Sequence, residues 1–307
     1  MKIALCFLIS YKNQLTKEKI WKEWVYYNRD IINIYFHTKN SNVKSSWIRK
    51  HCIPISYIKE TSYFHVVPAL MSLLSYAYKD KENRWFCFLT DSCIPLISPE
   101  EFRKLFFQYY KYTIFHWYKP NWNVQYHKRA NLYMLPSHYQ LANDPWFVIT
   151  RVDAFYCLTF MKDKMYPTIV EGIIANESVF AIALLHYRRL QTVINKSSSI
   201  CDWVRMSSPT SPYLFIKDTT ENLNYIENVK KNKYAMFLRK VHARFPDSAI
   251  EKIIYTNTKR TKYSDSELNI LYRPKNSYWW VFIFIFIYIN GLFSSSSIYY
   301  STKYSAE

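Results

Sequence analysis

Only two glycines, Gly172 and Gly291, occur in 307 residues. A loop that wraps phosphate with backbone N–H groups needs residues without a Cβ, and dinucleotide-binding turns need several at fixed spacing. Neither motif can be written around Gly172, the one glycine ahead of the apolar C-terminal stretch. The sequence therefore argues against P-loop nucleotidases, kinases and dinucleotide-dependent dehydrogenases. A phosphate-bearing ligand has to be held chiefly by side chains.

Those side chains are abundant. The chain carries 41 Lys and Arg against 23 Asp and Glu, a formal charge of +18. Such a surplus suits an anionic partner such as nucleic acid or a membrane surface. It also suits AT-rich coding, which raises Lys, Asn, Ile and Tyr together. No nucleic-acid reader motif is present, so nucleic acid is not an expected partner. Half of the residues are hydrophobic, enough for one large or two smaller cores. The six cysteines form no CxxC pair and no zinc-ligand spacing, and reduced thiols are expected. The opening "MKIALCFLIS" is too short for a secretory signal.

Short β-branched or aromatic runs alternate with helical patterns, which predicts an α/β layer fold. Strands are expected at Lys2–Ser10, Ile32–Thr38, Trp85–Ser92, Tyr112–Tyr118 and Trp146–Arg151. Helices are expected in "TKEKIWKEWVYY", "HVVPALMSLLSYAYK", "SPEEFRKLFFQYY" and "PDSAIEKIIY". The third begins with a capping box, Ser98 to Glu101, with Pro99 at the first helical position. Asp91 then lies near the C-terminal end of a strand, the edge where open α/β sheets bind ligands. The globular domain is expected over residues 1–255 and a polar linker over 256–277. An apolar segment follows, a possible membrane anchor over 278–300 or else a buried strand. Its Tyr278–Phe293 core would span about 24 Å as a helix, short of a ~30 Å hydrocarbon layer, and "SSSSIYY" supplies the remaining length. Arg273 and Lys275 before it would leave the globular part cytosolic, with the chain membrane-associated through its C-terminus.

Six segments, in order, resemble the core-2/I-branching β-1,6-N-acetylglucosaminyltransferases, the plant-type relatives most of all. "KIALCFLIS" is similar to the family's first strand and "INIYFHT" to its strand ending in His. "RWFCFLTDSCIPL" resembles a strand ending in Ser-x-Ser-Cys-Ile-Pro-Leu, and "QLANDPWFVITRVDA" a Gly-Ser-Gln-Trp-Phe segment followed by Arg. "IIANESVFAIAL" resembles an Asp-Glu helix start, and "CDWVR" with "YAMFLRKV" resembles Asp-Trp-Ser-Arg followed by Phe-Ala-Arg-Lys-Phe. The resemblance covers roughly Lys2 to Tyr255. It implies a GT-A-like nucleotide-sugar transferase fold, a mixed sheet flanked by helices. It also implies inverting transfer from UDP-N-acetylglucosamine or another UDP-sugar to a glycan acceptor. No cofactor or metal is implied, basic side chains doing the work of a divalent ion.

The roles follow residue by residue. Glu177 matches the catalytic base; one carboxylate suffices for a single in-line displacement, where a glycosidase uses two. An N-terminal glutamate favourable to a helix dipole is the competing reading, with Asn176 as the cap. Lys240 matches the diphosphate-binding Lys, Arg205 is the second cation, and Arg239 and Arg244 are alternatives; each could instead be a solvated surface charge. Asp91, with no Asp-x-Asp partner, is a poor Mg²⁺ or Mn²⁺ ligand; it and Ser92 are donor-side candidates. His37 either lines the nucleotide or is a structural histidine. Trp203 either stacks on an acceptor sugar or belongs to the core. "ANDPW" in place of Gly-Ser-Gln, and Asn176 in place of Asp, depart from the pattern and bear on donor specificity. A catalytically inactive, membrane-attached carbohydrate-binding relative is the alternative to an enzyme.

Overall fold

The structure, a computed structural model, describes residues 1–39, 42–208 and 210–256. The first strand, β1 (Lys2–Leu8), is buried continuously from Ile3 onward. A strand apolar on both faces belongs in the middle of a covered parallel sheet. Helix α1 (Glu18–Tyr26) lays Ile20, Trp21, Trp24 and Val25 inward, and the chain returns as β2 (Ile32–His37), parallel to β1. After α2 (Ser46–His51), helix α3 (Val67–Tyr78) packs against β1, β2 and β3 (Asn83–Thr90), which runs parallel to β1 on its other side.

Beyond β3 come β4 (Ile94–Pro95) and α4 (Pro99–Tyr109), where the Ser98–Glu101 capping box forms in full. Then follow β5 (Trp117–Tyr118), α5 (Val124–His127), β6 (Ala142–Asn143), β7 (Val148–Thr150), α6 (Arg151–Phe160), α7 (Met165–Glu171) and α8 (Val179–His186). The last elements are β8 (Ser199–Cys201), α9 (Thr220–Lys230), β9 (Phe237–Arg239) and α10 (Asp247–Tyr255). The main sheet has the order β2-β1-β3-β7, with β7 antiparallel, so it is mixed. A second sheet has the order β4-β9-β8, and β5 pairs with β6 alone.

Three expectations need correction. The Tyr112–Tyr118 run is a strand only at Trp117–Tyr118, because Ile114 makes only isolated bridges, to Val148 and to Ile194, and no continuous ladder. Arg151 opens a helix instead of ending a strand, since Thr150 caps α6 by accepting from the Asp153 N–H. Its guanidinium stacks 3.9 Å over Tyr78 and donates to the carbonyls of Tyr78, Asp80 and Asn83, tying off the end of α3. Asn176 is not a cap: residues Ala175–Glu177 form a separate turn of 3-10 helix, and α8 starts two residues past Glu177. No helix among the described residues is long and apolar enough to cross a membrane. Beyond Thr256, the expected linker and anchor lie outside the described residues.

Candidate functional site

Gly172 is where the site is built. A Cβ there would stand 2.4 Å from the Asn131 nitrogen and 2.5–2.6 Å from Ala130 backbone carbons, so two chain segments touch backbone to backbone. That contact continues as a bridge between Arg129 and Ile173, with the Ala130 N–H donating to the Ile173 carbonyl at 2.9 Å. Four non-glycine residues in these two segments hold left-handed backbone: Lys128, Ala130, Asn131 and Ile174. For a β-branched residue such as Ile174 this is a strained conformation. Strain of this kind persists where surrounding contacts over-determine it, and it clusters at functional positions.

The strained segments seat Arg129 against Glu177, Nη1 to Oε2 at 3.2 Å. Arg129 also lies over the Trp122 ring at 4.8 Å. The Glu177 side chain is 19% exposed, and its Oε1 takes no hydrogen bond from the described residues. Burial raises its pKa above the ordinary carboxylate value; Arg129 and Arg239 pull it down, and Asp144 pushes it up. A carboxyl poised this way, with one oxygen free, can take a proton from a hydroxyl.

The second wall comes from β9. The β4-β9-β8 sheet brings residues 239–241 beside the loop after β3, where the Val241 N–H donates to the Ser92 carbonyl at 2.9 Å. Arg239 reaches Thr90 Oγ1 at 3.4 Å and lies 5.4 Å over Trp146. Lys240 donates to Ser211 Oγ at 3.3 Å; burial lowers its pKa, as does Arg239, while Asp91 opposes the shift. Asp91 in turn accepts from the Ser10 N–H, and Ser92 is buried against Thr90. Arg239 is among the charges that lower the pKa of Glu177.

Other expected site residues stand elsewhere. Arg205 is spent on the protein itself: Nε binds Asp202, Nη1 binds Glu221 and Asn222, and the guanidinium lies 4.2 Å over Tyr213. Those donors are not free for a phosphate, and the three-residue spacing of "DWVR" was already the signal for a local ion pair. His37 is fully buried and accepts the Lys59 N–H through Nε2 at 2.9 Å; burial pulls its pKa down to about 4, which keeps it neutral. Arg244 is exposed, and Trp203 is 41% exposed, which sets it outside the core. Sequence reasoning passed over Arg129, which sits in an aperiodic loop, His116, which it met only inside an expected strand, and Asp144, which it met only as part of a departure from the family pattern.

The class is that of the glycosyltransferases. The chain belongs to the Core-2/I-Branching enzyme family, whose model matches residues 4–227. Members share a GT-A-like fold and move sugars from nucleotide-sugar donors to glycan acceptors. A search of curated proteins returns no match to the chain.

Proposed function

We propose that this chain transfers N-acetylglucosamine from UDP-N-acetylglucosamine to a glycan hydroxyl, with inversion and without a metal ion. Glu177 takes the proton of the acceptor hydroxyl. The freed oxygen forms its bond to the anomeric carbon from one face while the bond to the β-phosphate oxygen breaks on the other. The departing electron pair stays on the diphosphate, whose charge Arg239 and Lys240 offset in a partly dry site. Arg239 takes the place expected of Arg205, because its guanidinium keeps unused donors, while Nε and Nη1 of Arg205 are bound within the protein and its Nη2 is buried.

The observation that carries this reading is the mostly buried Glu177 carboxyl, held through one oxygen by Arg129 and open at the other. The test is transfer by purified protein from a panel of UDP-sugars in excess EDTA. Full activity with UDP-N-acetylglucosamine is expected. Strict dependence on added Mn²⁺, or preference for another sugar nucleotide, sinks the corresponding part of the proposal.

A further inference from the structure

Next to Glu177 stands a second carboxylate with a different construction. Asp144 follows β6, whose Asn143 donates from Nδ2 to the Asn176 carbonyl at 3.0 Å. Asp144 and Glu177 are therefore each one residue beyond the two ends of a single buried hydrogen bond. The Asp144 backbone N–H donates to the His116 carbonyl at 3.0 Å, fixing the start of the side chain. One carboxylate oxygen, Oδ2, is then held twice, by Ser197 Oγ at 2.5 Å and by His116 Nδ1 at 3.3 Å. The other, Oδ1, takes no hydrogen bond from the described residues, and the side chain is 24% exposed.

A carboxylate clamped through one oxygen and open at the other is pre-organised to accept a hydrogen bond from something outside the protein. Its charge says which substrate it faces. A diphosphate would be repelled, whereas a neutral polyol offers donors at a spacing that suits a carboxylate beside a base. Tyr118 lies within reach of both acids, and its hydroxyl pKa is pushed up to about 12 by burial and then by Asp144 and Glu177. It stays a neutral donor beside them.

We propose that Asp144, oriented by Ser197 and His116, binds the acceptor sugar through a hydroxyl next to the one that Glu177 deprotonates. This rests on the transferase reading above. It adds a specificity determinant on the acceptor side, at a position where Asn143, Asp144 and Pro145 replace the Gly-Ser-Gln of the resemblance.

The experiment measures transfer from UDP-N-acetylglucosamine to para-nitrophenyl glycosides of galactose, N-acetylgalactosamine and glucose, with Asp144→Asn and His116→Gln compared to wild type. For Asp144→Asn the acceptor KM rises about 10- to 100-fold, the range of a hydrogen bond to a charged group. The kcat, the donor KM and UDP-sugar hydrolysis without acceptor stay within about 3-fold. His116→Gln, which keeps the carboxylate but loosens it, gives a smaller rise in the same constant. A deoxy acceptor lacking the contacted hydroxyl loses affinity for wild type and not for Asp144→Asn. An unchanged acceptor KM, or a parallel fall in every constant together with the melting temperature, overturns the proposal. A wild-type protein that binds UDP but transfers to no glycoside overturns the transferase reading, and this proposal with it.

Discussion

At the scale of single residues, Glu177 is held in a state that folding alone would not choose. Burial disfavours its charge, and Arg129 and Arg239 only partly compensate. Glu177→Gln is expected to lower transfer by about 10²- to 10⁴-fold, the usual worth of a general base, while calorimetry finds UDP binding intact. Equal loss of both would mean misfolding. The same shift predicts a stability effect of fixed sign. A carboxyl whose folded pKa is raised contributes stability that is fully present below its unfolded pKa and is lost as pH rises through the folded one. Above its raised folded value the charge on Glu177 is thus a cost, and Glu177→Gln should there melt higher than wild type, with the difference closing near about pH 4. Arg129→Gln acts on the pH profile. It removes the first of the cationic influences on Glu177, so the acid limb of kcat/KM moves to higher pH. An unmoved limb would show that Arg129 does not set the base.

At the scale of elements, the site depends on two loops that no periodicity announces. The capping box of α4 was readable because its residues are three apart and bond to each other. The apolar runs of β1 and β3 were readable because a strand buried on both faces has few alternatives. Arg129 was not, because its position is set by Gly172, 43 residues away in the chain, through a backbone contact that leaves no hydrophobic pattern. The helix expected to carry Glu177 shows the same limit: the apolar period begins at Val179, and the residues before it follow the strained Ile174 turn instead. Gly172→Ala tests that contact. A methyl group 2.4–2.6 Å from backbone atoms forces the two segments apart, at about 1–3 kcal/mol by analogy with overpacked cores. Activity should fall further than stability accounts for, because the segment that moves carries Arg129. A melting temperature within a degree of wild type would mean that the loops yield freely and the contact is not a determinant of the site.

At the scale of the whole molecule, the cation run has to be carried back to the sheet that begins the chain. Lys17, just before α1, does this. Its side chain is 5% exposed, and its ammonium donates to the carbonyls of Ala243 and Phe245 at 2.8 and 2.5 Å and pairs with Asp247 at 2.6 Å. The segment that follows Lys240 is thus pinned across more than 220 residues of sequence. Among so many lysines in a chain of charge +18, nothing in composition singled this one out. A buried ammonium with three oxygens is evident only once both ends of the fold meet. Lys17→Met keeps the apolar stem but strands two carbonyls, whereas Asp247, 46% exposed, can turn to water. The cost is about 1–3 kcal/mol, a drop of roughly 2–12 °C in melting temperature for a domain of this size. Because the freed segment continues directly from Lys240, UDP should bind several-fold more weakly, while bound donor and acceptor react at a nearly unchanged kcat. Calorimetry with UDP and a thermal melt on the same preparation separate the two effects. A lower melting temperature with unaltered UDP affinity would show that the β9 ladder alone positions Lys240, and that the long-range lock serves stability and not the site.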